Sequence, residues 1–348
     1  MILDAQSFDL ANAIEELLDD SPAGSIKPEL MESVLEISTD PCDSVAQARE
    51  QLRALRRQVA ERAEAHGLAI GGAGTHPFAR WEDQRISGRP RYRDLVAELR
   101  FVARQELIFG MHVHIAIDDP EKAIHVANGF RGHIPVLVAL AANSPFWRGE
   151  PTGVAAARVP IFRAFPRVGI PPHYDDWEDY TRQIAFMVDA GVIADYTYLW
   201  HDVRPHPNLG TVEVRAMDAQ TKLEHTVGLA ALIQALGREL GEQFEAGEGV
   251  RAYPLEMLDE NKWLAARHGL DGELVDLPSS DRIATRELAT RLLDRVRDHS
   301  LDLGSSEQLE GLEELLEGGT GAARQTVVYE ANHDLRELMA EIVAASAP

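Results

Sequence analysis

Cysteine is nearly absent from the sequence, since Cys42 is the one example among 348 residues. A single thiol excludes an internal disulfide framework and a zinc site built from cysteines. Long apolar runs are also missing, because no stretch reaches the roughly 18 residues that a membrane-spanning helix needs. The first residues lack the basic and apolar regions of a signal peptide. We therefore expect a soluble, cytoplasmic protein with no membrane partner.

Positive charge is scarce as well. The chain carries 34 basic and 57 acidic residues, which gives a formal net charge of −23. This acidic balance disfavours an extended surface for a phosphate backbone, so we expect no binding to DNA or RNA. Only four of the basic residues are lysines. Two interpretations stay open: a GC-rich genome, whose codons favour arginine, and an acidic surface adapted to salt.

The sequence does contain regular helical and strand patterns. Apolar residues recur at intervals of three and four between 43 and 66, and they alternate with polar residues between 111 and 116. No G-x-G-x-x-G or G-x-x-x-x-G-K-[ST] motif opens a helix, which argues against Rossmann and P-loop folds. The patterns predict helices over 43–66, 92–105, 120–142 and 175–190, strands over 68–70, 111–116 and 210–217, a mostly irregular segment over 144–172, and helices from residue 222 onward.

The order of these elements indicates the fold class. Strands occupy the first two-thirds of the chain, separated by helices, and no change of composition marks a domain boundary. We predict a single α+β catalytic domain over 1–348, with a sheet-containing core over 1–220 and a helical C-terminal part over 221–348.

Three glutamates, Glu29, Glu32 and Glu36, lie close together around a short apolar strand. On that strand Glu36 shares a face with Val34, whereas Leu35 points the other way. A carboxylate among apolar strand residues is costly to bury unless it is paired or bound to a metal. The alternative, a solvated strand face, stays open.

Two later strands carry polar residues on one face. His112 and His114 share a face because they alternate with apolar residues, and so do Glu213 and Arg215. Paired histidines can bind a metal or a phosphate. A carboxylate beside a guanidinium suits Mg²⁺ and phosphate oxygens. The structural alternatives are satisfied histidines and a cross-strand salt bridge.

A glycine-rich loop, 71–78, follows the end of a predicted strand. Its glycines would let the backbone approach a ligand closely, with Thr75 within the loop and His76 at the rim. Together the four groups describe oxygen-rich, cysteine-free chemistry on one sheet face. Mg²⁺ with a nucleoside triphosphate is the natural ligand class for such a face.

At these residues the sequence resembles the YbdK-type carboxylate–amine ligases, the type 2 glutamate–cysteine ligase family. The resemblance covers nearly the whole chain and rests on many short motifs in the same order. They are Lys27-Pro-Glu-Leu-Met-Glu-Ser-Val-Leu-Glu36, Gly74-Thr-His-Pro-Phe78, Gly110-Met-His-Val-His114, Ser144-Pro-Phe-Trp-Arg-Gly149, Arg158-Val-Pro-Ile-Phe162, Asp202-Val-Arg-Pro-His-Pro207, Gly210-Thr-Val-Glu-Val-Arg215 and Asn261-Lys-Trp-Leu-Ala-Ala-Arg-His-Gly269.

The resemblance implies a fold related to glutamine synthetase, in which a curved antiparallel sheet binds metal and nucleotide on its concave face and helices pack outside. It also implies that ATP activates a carboxylate, typically the γ-carboxylate of glutamate, as an acyl phosphate. An amine such as cysteine then attacks to form an amide. The implied cofactors are ATP and Mg²⁺, the partners are small-molecule substrates, and a homodimer is the expected assembly.

The resemblance further assigns roles to single residues. Arg215 would stabilise the transferred phosphoryl group, His112 would help to hold that group or a metal, and Arg204 would clamp a substrate carboxylate. The expected Mg²⁺ ligands are Glu29, Glu36 and Glu213. The other candidates for cofactor binding are His114, Thr75, His76 and Arg267.

One departure from the family pattern lies at the start of the sequence. The first strand of the family carries a Gly-x-Glu-x-Glu pattern of metal ligands, followed by a tripeptide similar to Leu-Val-Asp. Here Ile2-Leu3-Asp4 takes the place of the tripeptide, and only Met1 precedes it. We expect either a sequence shortened by that strand, or a catalytically impaired paralogue that acts as a binding or scaffold protein. In both cases we expect weak Mg–ATP binding, because each metal lacks anionic ligands.

Overall fold

The strands of the protein are short, and most of them pair in twos. A computed structural model describes residues 1–18 and 26–347, and the structural statements below concern these residues. Within them, no helix is long and apolar enough to cross a membrane. The strands are β1 Ile2–Asp4, β2 Ile26–Pro28, β3 Leu35–Ile37, β4 Leu68–Ile70, β5 Gly110–Ala116, β6 Phe146–Trp147, β7 Glu150–Pro151, β8 Val168–Gly169, β9 Trp200–His201, β10 Val203–His206, β11 Thr211–Asp218, β12 Glu273–Val275 and β13 Arg282–Ala284.

Helices make up the larger part of the fold and dominate its second half. They are α1 Ile14–Leu18, α2 Val45–Ala65, α3 Pro90–Leu99, α4 Phe101–Arg104, α5 Pro120–Arg131, α6 Ile134–Leu140, α7 Arg158–Phe162, α8 Trp177–Asp189, α9 Leu223–Glu245, α10 Leu255–His268, α11 Thr285–Asp302, α12 Ser306–Gly318, α13 Gly321–Asn332 and α14 Leu335–Ala345. This combination of helices and antiparallel strands confirms the predicted α+β class.

The largest sheet in the described part of the chain has three antiparallel strands in the order β10–β11–β5. Its register places Arg204 and His114 on either side of Glu213, one on each neighbouring strand. Between Val214 and Met217 the pairing of β11 with β5 shifts, which marks a β-bulge. Bulges redirect side chains and are common beside functional sites.

The two faces of this sheet have opposite character. Val212 and Ile115 are buried in the main hydrophobic core. Helix α9 packs so closely there that a Cβ atom on Gly237 would clash with Ile115. The other face presents His112 and His114, which are exposed. The period-2 alternation of the strands therefore separates the core from a polar face, as the sequence predicts.

Several predicted elements are confirmed. Helix α2 matches the predicted helix over 43–66, and its N-cap Ser44 accepts a hydrogen bond from the backbone N–H of Gln47 at 3.2 Å. Gly67 follows that helix with a φ of +71°, a conformation that favours glycine. Strands β4, β5 and β11 lie where the sequence predicts strands.

Other predicted boundaries are wrong for local reasons. The predicted helix over 92–105 is two helices, because Arg100 adopts a positive φ of +50°. The predicted helix over 120–142 breaks into α5 and α6 at Gly132 and His133, and Pro135 follows within the first turn of α6. The segment over 144–172, predicted to be mostly irregular, contains β6, β7, α7 and β8.

The C-terminal part is helical, as predicted, apart from the hairpin β12–β13. Residues 276–281 form the turn that joins its two strands. Asn261 on α10 holds the hairpin through two hydrogen bonds with the backbone of Val275, at 2.7 and 2.8 Å. The next residue, Lys262, reaches the sheet and forms a buried ion pair with Asp202 at 2.6 Å, just before β10.

Candidate active site

A buried carboxylate, Glu213, lies at the centre of the polar sheet face. Arg204 on the neighbouring strand donates to Glu213 Oε2 from Nε at 3.2 Å and from Nη2 at 2.7 Å. Arg215, two residues further along the same strand, donates to the other oxygen, Oε1. The predicted alternative of a cross-strand salt bridge is therefore present, and both oxygens of Glu213 face arginines.

Two histidines of β5 complete this cluster. The Nε2 atom of His114 lies 3.4 Å from Glu213 Oε1, and the Nδ1 atom of His112 lies 3.6 Å from it. The Nδ1 atom of His114 is also hydrogen-bonded to the hydroxyl of Thr211 at 2.9 Å. Both histidine side chains are about one-third exposed, at 32% and 33%, so they line the face that a ligand can reach.

Charge pairing keeps Glu213 ionised. Burial alone would raise the pKa of Glu213, but the hydrogen bond from His114 and the positive charges of Arg215 and Arg204 outweigh it and hold the pKa far below its usual range. The pKa of His112 is shifted well below its usual value, because the surrounding side chains remove much of its ring from water and because Arg215 carries a positive charge. His112 is therefore neutral at pH 7, and it can accept a hydrogen bond.

A second pair of carboxylates lies beside Arg215 on a different element. Strands β2 and β3 form a hairpin in which Lys27 is opposite Glu36. Glu29 follows β2 and accepts a hydrogen bond from the backbone N–H of Leu30 at 3.1 Å. Burial and the neighbouring Glu36 carboxylate raise the pKa of Glu29 to about 7, while Leu30 and the charge of Arg215 act in the opposite direction. The structure thus brings Glu29, Glu36 and Arg215 together.

Glu32, the third glutamate of the segment, lies outside this pair. It forms an ion pair with Arg85 at 2.9 Å, and its backbone N–H donates to the carbonyl of the same arginine. The alternative that these glutamates lie on a solvated strand face therefore applies to Glu32, but it does not apply to Glu29.

Glu106, which follows α4 and precedes β5, is a carboxylate of this region that the sequence reasoning missed. Burial raises its pKa to about 8; the charge of Arg158 opposes the rise and that of Glu29 adds to it. The one available signal is its position four residues before the histidine-bearing strand begins. That signal is weak, because glutamates at helix ends are usually exposed.

The chemistry of these donors bears on whether they suit Mg²⁺. Within 1–18 and 26–347, no three His, Cys, Asp or Glu side chains converge as a ready-made metal site. The Glu29–Glu36 pair nevertheless fits a divalent cation, because the two carboxylates are adjacent and the raised pKa of Glu29 indicates that nearby positive charge does not compensate them. Glu213 fits less well, since its oxygens already accept from two arginines. Its role as a metal ligand stays a prediction.

The predicted clamp, Arg204, is fully engaged within the protein. Besides its two bonds to Glu213, its Nη1 atom donates to the carbonyls of Thr197 and Leu199 at 2.9 and 2.8 Å. The residue is only 5% exposed. Arg215 differs, because its Nε atom is buried without a hydrogen-bond partner among the described residues. The Arg215 side chain is also 14% exposed, against 6% for Arg204, so it is the better placed of these two guanidinium groups to reach a ligand.

The glycine-rich loop has a structural role that the sequence did not reveal. His76 was expected at the rim, and this is wrong: it is fully buried, its Nε2 atom lies 2.9 Å from the carbonyl of Phe8, and its Nδ1 atom accepts from the backbone N–H of Ala79 at 3.0 Å. Burial lowers the pKa of His76 to about 4. Thr75 is also buried, and its hydroxyl donates to the carbonyl of Phe146 at 2.7 Å. The side chains of both residues are thus occupied inside the fold.

Close packing explains one glycine of this loop. A Cβ atom on Gly74 would lie 2.5 Å from the carboxyl carbon of Asp218, at the end of β11. The space that the glycine leaves is filled by a protein side chain and not by a ligand. Arg267, the last cofactor-binding candidate, is exposed near the end of α10 and lies close to Gly153. Its role stays a prediction.

Comparison with known proteins agrees with this picture. The profile of the glutamate–cysteine ligase family 2 matches residues 3–341. A protein of Rubrobacter xylanophilus, described as a candidate glutamate–cysteine ligase 2-1, is 41% identical over 350 residues, covering 100% of this chain and 93% of that protein. A protein of Sorangium cellulosum with a similar description is 39% identical, covering 99% and 93%.

The fold is also similar to a solved structure. The glutamate–cysteine ligase of Francisella tularensis, crystallised in complex with AMP, superposes with a TM-score of 0.75 over 100% of this chain and 86% of that chain, at 13% sequence identity. This likeness confirms the predicted fold type, an α+β fold of the glutamate–cysteine ligase kind. Since the family profile spans almost the whole sequence and relatives are 39–41% identical along it, the chain belongs to glutamate–cysteine ligase family 2.

Proposed function

We propose that this protein is an ATP-dependent carboxylate–amine ligase that activates the γ-carboxylate of glutamate. The observation that carries the proposal is the meeting of Arg215, which has an unpartnered donor, with the Glu29–Glu36 carboxylate pair beside a histidine-bearing sheet face. An arginine next to a carboxylate pair can hold phosphate oxygens and the cation that accompanies them. The family to which the chain belongs supplies the reaction class.

The proposed reaction has two steps. A carboxylate oxygen bonds to the γ-phosphorus of ATP while the bond from that phosphorus to the β,γ-bridging oxygen breaks, giving an acyl phosphate and ADP. An amine nitrogen then bonds to the acyl carbon, phosphate leaves with the former carboxylate oxygen, and the nitrogen loses one proton. When bound, Mg²⁺ would neutralise negative charge on the phosphates.

The residues of the chain divide this work. Arg215 would bind the oxygens of the transferred phosphoryl group through its guanidinium, which is partly exposed on this face. Glu213 and Arg204 would hold Arg215 in place, because the carboxylate is buried and bonded to both guanidinium groups. His112 and His114 would orient the ligand at the exposed edge of the same face.

The remaining features of the proposal concern substrates and setting. The substrates would be small molecules, with cysteine as the first amine to test. Glu29 and Glu36 would hold Mg²⁺. The candidates for nucleotide binding are His114, Thr75, His76 and Arg267. Thr75 and His76 are the least favoured of these because they are buried. A cytoplasmic homodimer is the proposed assembly.

The test is a measurement of ADP and phosphate release with glutamate and a panel of amines, with mass spectrometry of the product. The expected result is ADP, phosphate and amide in equal amounts, dependent on Mg²⁺, and nearly lost in Arg215→Gln. Arg182→Gln is the matched control, since that arginine is exposed on α8 and forms a surface pair with nearby Asp179. Absence of an amide product with every amine, despite folded protein, would refute the proposal.

A further inference from the structure

Arg158, the first residue of α7, is a charged residue that the predicted roles leave unexplained. It opens one of the sequence motifs, Arg158 to Phe162, yet none of the site predictions uses it. It is only 6% exposed. A guanidinium in such a place must have partners, because burying an unpaired charge is costly.

Its partners are carbonyl oxygens of the catalytic strand. Nη1 donates to the carbonyl of Ala216 at 3.2 Å, and Nη2 donates to the carbonyl of Arg215 at 3.3 Å. The backbone N–H of Arg158 also donates to the hydroxyl of Ser144 at 3.1 Å, and that hydroxyl donates to Asp218 Oδ2 at 2.6 Å. Helix α7 is therefore bonded directly to residues 215 and 216 of β11, and through the hydroxyl of Ser144 to Asp218.

These two carbonyls lie at the β-bulge. The pairing of β11 with β5 shifts between Val214 and Met217, so the regular ladder is interrupted around residues 215 and 216. Backbone acceptors that lose their ladder partners need another donor when they are buried. The two Nη atoms of one guanidinium supply donors to two successive carbonyls, and the charge strengthens both bonds.

The opposite strand is shaped to admit this guanidinium. A Cβ atom on Gly110, the first residue of β5, would lie 2.5 Å from Nη2 of Arg158. Gly110 does not have a positive φ, so its backbone conformation does not itself demand glycine. The space for Arg158 is the reason that the structure offers for a glycine at this position.

We propose that Arg158 is a positioning residue of the candidate active site, which fixes the bulge of β11 and thereby aims Arg215 at the transferred phosphoryl group. This inference rests on the proposed function, because it gives Arg158 its effect through Arg215. A displacement of about 1 Å in such a site can cost on the order of 10²-fold in rate. Arg158 therefore controls kcat although it binds no substrate itself.

The experiment is a double-mutant cycle with Arg158→Gln and Arg215→Gln. The release of ADP is measured, and kcat and the KM for ATP are determined for each protein. Arg158→Gln is expected to lower kcat on the order of 10²-fold with little change in KM, and to have no further effect in the Arg215→Gln background. Arg158→Lys should recover part of the rate, since it keeps the charge but lacks the fork. Arg163→Gln, which removes an exposed arginine at the end of the same helix paired with Asp259, should leave kcat unchanged.

A second route perturbs Arg158 without replacing it. Gly110→Ala places a methyl group against Nη2 and should lower kcat, whereas the same change in the Arg158→Gln background should cost nothing more because the shorter side chain leaves room. This variant keeps the inference testable if Arg158→Gln does not fold. Additive losses in both cycles, or an unchanged kcat in Arg158→Gln, would overturn the inference.

The outcome is separable from that of the proposed function. If the wild-type protein forms no amide with any amine, the proposed function fails, and the inference is judged by hydrogen–deuterium exchange of β11. Faster exchange of residues 215–217 in Arg158→Gln, with β10 unchanged, would support it. Equal exchange in the two proteins would overturn it.

Discussion

Two groups of carboxylates flank Arg215, and they are compensated very differently. Glu213 accepts from Arg204 and Arg215 and has its pKa held far below the usual range. Glu29 lies against Glu36 with its pKa raised to about 7 by burial and by that neighbour. One carboxylate is fully paired inside the protein, whereas the other two lack sufficient positive charge.

The difference separates architecture from ligand binding. A buried charge with complete partners holds the strands in register, and removing one partner is costly. A carboxylate pair without enough positive charge gains stability when a cation arrives. The charge pairing therefore predicts that Glu213 stabilises the fold, whereas Glu29 and Glu36 bind the cation that accompanies the ligand.

The largest effect is expected at the paired carboxylate. Glu213→Gln leaves Arg204 buried without its counter-charge and should lower the free energy of unfolding by about 3–5 kcal/mol. Urea unfolding followed by circular dichroism measures it. Glu307→Gln is the control, because that glutamate forms an exposed pair with Arg49 and should change the midpoint little. A loss as small as that of the control would show that Glu213 is not an organising charge.

The raised pKa of Glu29 should make the free energy of unfolding depend on pH. A folded-state pKa of about 7 for Glu29, above the usual 4.5, means that the folded protein binds more protons than the unfolded chain between these values. Without divalent cations, this group should therefore lower the free energy of unfolding by about 3 kcal/mol as the pH rises from 4.5 to 7. Glu29→Gln should remove that decline. Identical pH profiles for the wild type and the variant would contradict the raised pKa.

A smaller effect tests the clamp prediction for Arg204. Arg204→Lys keeps the charge but loses the fork that bonds Glu213, so the free energy of unfolding should fall by about 2 kcal/mol. If the arginine holds Arg215 in place, kcat should fall while KM for glutamate stays the same. A raised KM with unchanged kcat would instead favour the substrate clamp.

The smallest effect concerns Mg²⁺ alone. At pH 8 the wild type should gain about 1.4 kcal/mol of unfolding free energy for each tenfold increase in free Mg²⁺ above the dissociation constant. Glu36→Gln should abolish this gain. Glu32→Gln is the matched control from the same segment, because Glu32 pairs with Arg85. If the two variants gain the same unfolding free energy with Mg²⁺, the Glu29–Glu36 pair is not the cation site.

Strands β5 and β11 were predictable, because alternation along 111–116 and 210–217 depends only on the sequence. It also gave the shared face of Glu213 and Arg215, which β11 confirms. The partner of Glu213 was harder to predict. Which residue of β10 lies opposite it depends on register, and the register of these strands is set by tertiary packing and a bulge.

The glycine-rich loop shows the opposite limit. Its composition is compatible with a ligand loop and with a tightly packed connection, and sequence alone does not distinguish them. Gly74 lies against Asp218, and His76 is bonded to the backbone of Phe8 and Ala79. The contacts with Asp218 and Phe8 join segments that are far apart in sequence, so local patterns carry no sign of them.

The ion pair between Lys262 and Asp202 affects how the protein unfolds. It joins α10 of the helical part to the residue just before β10, at the edge of the three-stranded sheet, with both side chains almost completely hidden from water. Separating the two parts would expose the lysine and leave the buried aspartate without its counter-charge. Unfolding of either part alone is therefore costly. The sheet and the helical part should therefore melt in one cooperative transition, and limited proteolysis should find no stable fragment that ends before α10.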